Sequence, residues 1–278
     1  MNPGDPAASE RYTEARLADA GMEVVRDMKD KPVTMLRTYD GTNIEPEFLP
    51  SRFPVAPLTG SEGIAAGFSV TIPSHNPIEF LKLTRALLAN PDLSTDEMME
   101  IMPGPDWGTG ASVIASRNGI ATYYDTGCAH LTVRSRLDNI DGDVVLKEIA
   151  PGISLRTVLG KIRDKIRARE ITTLSGAEDH SDMDKGTHVV FTLRRGKKFN
   201  EAVRELYTTT ELESTYAVNM VFTDRDNIPR TWGIRDVISQ FLSLRDEVLI
   251  ARSTAALDTA TTKLQRAEAV KAVVLDKD

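Results

Sequence analysis

The stretch SERYTEARLADAGMEVVRDM, Ser9 to Met28, puts one phenol, Tyr12, directly after one guanidinium, Arg11. A tyrosine oxygen becomes a useful nucleophile only when its proton is loosened, since a free phenol has a pKa of about 10. A neighbouring cation favours the phenolate and any negative charge that grows during attack. The same two residues are equally a surface charge beside a packing aromatic. Leu17, Val24, Val25 and Met28 then recur near helical spacing, which would bury Tyr12 at a helix start. Other reactive groups are sparse. The single cysteine, Cys128, excludes an internal disulfide and a CxxC metal site, and it suits a reducing, cytoplasmic compartment. The histidines (His75, His130, His180, His188) show no paired ligand spacing, so no zinc site and no resident metal are expected. The run GSEGIAAG spaces its glycines well but lacks the Lys-Ser/Thr ending of an ATP loop, so this chain is expected to carry no nucleotide and no other cofactor.

The 278 residues suffice for one large domain or two modest ones with a real core. No apolar run approaches the roughly 18–20 residues a membrane span needs, and residues 1–10 lack the basic and apolar regions of a signal peptide, so no membrane partner is expected. The formal net charge of −7 argues mildly against nucleic acid, whose phosphates require Lys and Arg. Binding depends on where charges sit, however. The segment RTVLGKIRDKIRAR (156–169) and the run RRGKK (194–198) are strongly basic, while acids collect in NPDLSTDEMME and GAEDHSDMD. Two solvated faces or one nucleic-acid surface both fit that pattern.

The elements that must position these groups follow from periodicity and caps. Residues 14–29 read as an amphipathic helix stopped by Pro32, and YDGTNIEPEFLPSRFPVAPLTG reads as loop. GIAAGFSVTIPSHNP looks buried. The spacing predicts a helix over 78–89, with Asn76 as N-cap and Pro77 at its first position. A second helix, STDEMMEIM, carries a Ser94/Glu97 capping box and ends at Pro103. Short strands are expected over 112–115, 121–125, 130–136 and 144–148. A basic helix over 155–169 leads to a strand at 171–174. GTHVVFTLRRG is a further strand, 200–208 a helix, and TYAVNMVFTDRDNIPRTWG two strands around a turn. From Ile234 the chain reads as one long helix, an arm or half of a coiled coil. Helices mixed with short, mostly antiparallel strands define the fold class as α+β rather than doubly wound.

Five segments occur in order: AASERYTEARL, YDGTNIEPEFLPSRFP, GSEGIAAGFSVTIPSHNP, IMPGPDWGTG and LYTTTELESTYAVNM. Together they resemble the A subunit of the bacterial type IIA DNA topoisomerases, DNA gyrase and topoisomerase IV, over nearly the whole chain. The resemblance implies a fragment of that subunit. Residues 1–46 would be the C-terminal remnant of a winged-helix domain, 47–232 a tower-type domain, and 233–278 the start of a coiled-coil helix. It implies Tyr12 as the DNA-cleaving nucleophile, with Arg11 as its electrostatic partner. Ile64 would be the wedge that enters the base stack and kinks gate-segment DNA, although by itself the segment reads as a buried strand-end isoleucine. Arg134 and Arg136 would hold DNA phosphates. Arg52 and His75 either face DNA or brace loops.

The implied partners are double-stranded DNA and a topoisomerase B subunit that holds Mg2+ and ATP, within an A2B2 heterotetramer. The piece by itself is expected to be inactive and monomeric. A stand-alone DNA-binding or interaction module without catalysis is the alternative. Several positions depart from the family pattern. Glu62 places an acid beside the wedge, Thr59 stands where Asn is usual, and Cys128 stands where Arg is common. VAPLTG replaces the usual NLLVNG-like loop, and APGIS the frequent LPYQV.

Overall fold

The computed structural model describes residues 9–12, 14–30, 32–182, 186–224, 226 and 228–275. The chain divides into two compact units. One joins Glu14–Val55 to Asp236–Asp278, and the other holds Ala56–Arg235 with the N-terminal residues before Glu14.

In the first unit, residues 14–18 have no regular structure. Helix α1 spans only Asp19–Val25, with no side-chain cap at Ala18, and tightens into a 3-10 turn over Arg26–Asp30. The helix expected over 14–29 is therefore shorter, and it does not begin near Tyr12. Short 3-10 turns commonly finish an α-helix, and this one aims Asp27 inward. The segment read as loop contains a hairpin, β1 (Met35–Arg37) against β2 (Ile44–Pro46). Its turn is built on Asp40, whose carboxylate accepts from Thr38 Oγ1 at 2.6 Å and Thr42 Oγ1 at 2.7 Å.

Helix α2 (Val55–Thr59) leads into the second unit. Strands β3 (Ser61–Ala65) and β4 (Phe68–Ile72) form an antiparallel hairpin in which Ile64 faces Ser69 in register. Of the segment expected to be buried, Gly63 through Ser69 are instead exposed, while Ile72, Pro73 and His75 are buried. Helices α3 (Pro77–Ala89) and α4 (Thr95–Ile101) follow as the caps predict. Asn76 Oδ1 accepts from Ile78 N at 3.0 Å, and Ser94 and Glu97 close a reciprocal capping box. After β5 (Ser112–Ile114) comes a correction. Residues 121–125 are not a strand but the second half of helix α5 (Arg117–Thr126). Ser116 caps it from one end, accepting from Gly119 N at 3.1 Å, and Gly127 ends it in the left-handed region at φ 73°. Gly127 also allows close approach, because a Cβ there would collide with the Trp232 carbonyl.

Strand β6 (Cys128–Arg134) stops at Ser135, and β7 (Arg136–Ile140) starts on its other side. The expected strand over 130–136 is thus two strands in two sheets. The buried Ser135 donates its N–H to Leu212 O, and its hydroxyl accepts from Ala150 N, so no sheet partner is left for its backbone N–H. The remaining elements are β8 (Asp143–Glu148), α6 (Leu155–Arg167), β9 (Leu174–Asp179), β10 (Val189–Leu193), α7 (Phe199–Thr209), β11 (Glu213–Asn219), β12 (Val221–Thr223), β13 (Pro229–Thr231) and α8 (Ile234–Leu275). The strand expected at 171–174 begins only at its last residue. The N–H groups of Thr172 and Thr173 go to the Glu205 carboxylate at 2.9 Å each rather than to a strand.

The larger unit is built on two antiparallel sheets, β3-β4-β11-β6-β5 and β7-β8-β10-β9. The second carries a continuous apolar core. Val144, Leu146, Val189 and Phe191 from the sheet meet Val158, Leu159, Ile162 and Ile166 of α6 and Ala202 and Leu206 of α7. The basic residues of α6 lie between those apolar positions, so its amphipathic face settles its orientation. The fold is α+β with a long terminal helix, as expected. Among the described residues no helix is long and apolar enough to cross a membrane.

Candidate nucleic-acid interface

Tyr12 lies in a 3-10 turn, Glu10–Tyr12, closed by Tyr12 N donating to Ser9 O at 2.9 Å. Tyr12 is 74% exposed and so is not part of a core formed by the described residues. The Arg11 guanidinium carbon stands 4.8 Å from the centre of the Tyr12 ring. The pair therefore presents an accessible hydroxyl with a cation against its ring, a geometry that attracts through the ring quadrupole.

Ile64 is 94% exposed, near the tip of the β3–β4 hairpin, and is followed by Ala65, Ala66 and Gly67. Small residues leave the isoleucine as the only large side chain between Glu62 and Phe68. Isolated exposed apolar residues are ordinary. A β-branched one at the end of a projecting hairpin with small neighbours is the shape of a wedge. Glu62, two residues earlier, is held by Tyr216, whose hydroxyl donates to Glu62 Oε1 at 3.1 Å. The Trp107 ring meets Tyr216 edge-on at 5.3 Å.

The remaining sequence-predicted residues are separated by the fold. His75 is not on the surface. It is buried, 2% exposed, with Nδ1 2.7 Å from Pro57 O and Nε2 2.6 Å from the Tyr123 hydroxyl. Both contacts are those of a loop brace. Arg52 is also spoken for. Its Nε and Nη2 donate to Asp27 Oδ1 at 3.1 and 2.7 Å, and its Nη1 to Glu23 Oε2 at 3.1 Å. Arg134 pairs with Glu213 and lies over the Tyr207 ring. Arg136, in the other sheet, sits 3.2 Å from both Asp138 and Glu148. Both keep solvent exposure, but each faces acids that a phosphate would have to displace. Cys128 is exposed with its Sγ 3.5 Å from Asn219 Oδ1.

Two groupings escape a reading of the sequence. The first is around Asp27, which is 1% exposed. Besides Arg52, its carboxylate meets Arg252 at 3.1 Å and Arg245 at 2.6 Å. The Arg245 approach is close enough for an ion pair, although no N–H points squarely at Oδ2. Burial alone raises the carboxyl's pKa, and the guanidiniums of Arg52, Arg245 and Arg252 outweigh it to a net lowering. Asp27 and Arg245 are 218 positions apart, and no local pattern signals such a pair. The second is the His75–Tyr123 contact. Its signal was present, since Ser116 and Gly127 bracket a helix that would have put Tyr123 on an inward face. Among the described residues no group of three His, Cys, Asp or Glu side chains could hold a metal ion.

An α+β chain with an exposed Arg-Tyr turn, a projecting isoleucine hairpin and a long terminal helix fits one class, and the sequence matches that class throughout. The chain belongs to the family of DNA gyrase/topoisomerase IV A subunits, whose family model it matches over residues 1–278. It is 36% identical to the topoisomerase subunit TopoM of Mycolicibacterium smegmatis over 275 residues, 99% of this chain and 38% of that protein. It is also 36% identical to the DNA gyrase A subunit of Granulibacter bethesdensis over 262 residues, covering 92% of this chain and 28% of the relative. The DNA gyrase A subunit of Pseudomonas aeruginosa shares 35% over 257 residues, 90% of this chain and 28% of its own length. The chain therefore spans well under half the length of these relatives.

Proposed function

We propose that this chain is the part of a type IIA topoisomerase A subunit that binds and bends gate-segment duplex DNA and carries the cleaving tyrosine. Tyr12 attacks a backbone phosphorus. A phosphotyrosine ester replaces one DNA ester, and a sugar hydroxyl leaves. Arg11 offsets the charge that develops during this exchange. The bond energy is retained in the new ester, so religation needs no outside source. Mg2+ and ATP belong to the partner B subunit, and strand passage to the complete A2B2 assembly. Arg134 and Arg136 position the duplex without reading bases.

The observation that carries this reading is Ile64, 94% exposed at a hairpin tip whose neighbours are small. Separating two stacked base pairs costs about a few kcal/mol and is recovered when the bent duplex touches more protein. The test uses the 278-residue chain and a duplex of roughly 40 base pairs, short against the DNA persistence length, with a donor and an acceptor at its ends. Binding that weakens steeply with salt and energy transfer that rises on binding are expected, with Ile64→Ala losing most of the rise at similar affinity. An Ile64→Ala protein that bends DNA as the parent does would remove the wedge.

A further inference from the structure

We infer that His75 and Tyr123 clamp the root of the β3–β4 hairpin, which makes His75 a positioning residue for the Ile64 tip. The inference rests on the reading of Ile64 as a wedge only for its functional consequence; the clamp itself stands on geometry.

The hairpin needs a firm root because little else holds it. Strand β3 is the edge of its sheet, and β4 pairs with β11 through the single register pair Asn219↔Thr71. Asn219 Nδ2 adds one bond to Ser69 O at 2.6 Å, and the Tyr216–Glu62 bond is exposed. Every residue from Ser61 to Ser69 faces solvent. A two-stranded ribbon with one side free is marginally stable by itself. An apolar wedge on such a ribbon loses much of its insertion free energy if the tip must first be ordered.

At the root the arrangement changes. The chain leaves the body after α2 and returns at Ser74. Gly60 lies so near this return that a Cβ there would stand 3.1 Å from Ile72 O and 3.2 Å from Ser74 N. Ser74 is fixed from outside by Asp106, which donates its N–H to Ser74 O at 2.9 Å and accepts from Ser74 Oγ at 2.7 Å. Across the two ends, His75 Nδ1 donates to Pro57 O at 2.7 Å, closing the 18-residue excursion that carries Ile64. A carbonyl only accepts, so Nδ1 holds the proton. Neutral Nε2 then accepts from the Tyr123 hydroxyl at 2.6 Å. The His75 and Tyr123 rings lie parallel at 5.9 Å, and the Phe80 ring lies tilted to the imidazole at 5.8 Å. Tyr123 is fully buried on α5, so the hairpin root is tied to the helical core through one imidazole.

Protonation chemistry agrees with this pairing. Burial pushes the His75 imidazole down to about 4, against the opposing pulls of Pro57 O and Asp106. Burial likewise raises the Tyr123 phenol well above its ordinary value, so it stays a donor.

The experiment compares Tyr123→Phe, His75→Phe and His75→Asn with the parent chain. Asn can retain a donor to Pro57 O but cannot reach Tyr123. Three quantities are read: amide hydrogen exchange across residues 61–72, duplex affinity with its salt dependence, and end-to-end energy transfer. The clamp predicts exchange about fivefold faster in this segment for Tyr123→Phe, the size expected for one buried hydrogen bond. His75→Phe should be faster still, with His75→Asn partly restored. The bend should fall while affinity changes less than about twofold and the salt slope stays constant, since no phosphate contact is lost. Unchanged exchange in Tyr123→Phe and His75→Asn, both conservative enough to fold, overturns the clamp. So does a reduced salt slope in the His75 variants, which would make His75 a phosphate contact. Faster exchange with no effect of Ile64→Ala on bending would sink the wedge reading and leave the clamp standing.

Discussion

A buried imidazole that gives one hydrogen bond and receives another has to stay neutral, and at His75 this ties folding to pH. The folded value, about 4, lies below the ordinary 6.5. Between those values the unfolded chain binds the proton and the folded chain does not. The stabilising contribution is therefore complete above about pH 6.5, shrinks as pH falls towards 4, and is lost below it. Its ceiling is about 3 kcal/mol, from roughly 1.4 kcal/mol for each pH unit of displacement. Tyr123 stays protonated across this range, and the Asp106 carboxylate offsets part of the penalty. Urea unfolding of the parent and His75→Asn at steps from pH 7 to 4.5 should converge as pH drops. Parallel curves would mean that His75 is not the titrating group. Charged side chains teach the same lesson in reverse. Arg52 reads from its motif as either a DNA-facing cation or a loop brace, and its guanidinium is committed to Asp27 and Glu23. Pairing across 25 positions has no local signature.

Elements with local signals formed as their residues dictate. Helices α3 and α4 are delimited by Asn76 and by the Ser94–Glu97 box, because caps satisfy the first free N–H groups from within the segment itself. Where tertiary partners compete, the outcome departs. Tyr123 and Tyr124 have strand-type side chains but lie in α5, whose core face buries both. Ser135 has a strand's surroundings but spends its hydrogen bonds on Leu212 and Ala150. The shortened α1 belongs to the same group, since its continuation turns Asp27 into three guanidiniums. Removing that charge should be expensive. Asp27→Asn leaves Arg52, Arg245 and Arg252 crowded without a counter-ion, and thermal or urea unfolding should show a loss of about 3 kcal/mol. Arg26→Ala, which breaks only the exposed pair with Glu23, should stay within about 0.5 kcal/mol. Equal losses for the two would show that the cluster around Asp27 contributes little.

On the scale of the whole molecule, the proposed chemistry needs more than this chain, which covers 38% of the TopoM relative. Tyr12 stands in the open, and the proposed reading assigns the metal to the B subunit. The cleavage role is therefore tested in a complete A subunit bearing this segment, mixed with B subunit, Mg2+ and DNA. Denaturant-stable protein–DNA adducts should form and disappear on Tyr12→Phe, with Arg11→Ala lowering their yield by about tenfold or more, the range for losing one electrostatic stabiliser. Adducts that persist in the Phe variant would assign the nucleophile elsewhere. If the chain acts instead as a DNA-binding module without catalysis, no adduct forms in either protein while duplex binding survives.

By itself the sequence determined the α+β class, the capped helices, the long terminal helix and the family, because caps, periodicity and ordered motifs are local properties of the chain. It also marked Arg11, Tyr12 and Ile64, whose neighbours in sequence are what make them recognisable. Only the tertiary structure decided which of the marked groups are free. Ile64 and Tyr12 are exposed, His75 is sealed inside as a brace, and Arg52, Arg134 and Arg136 are matched to acids. Burial and ion pairing depend on residues up to hundreds of positions away, and a side chain's chemistry is set as much by those neighbours as by its own type.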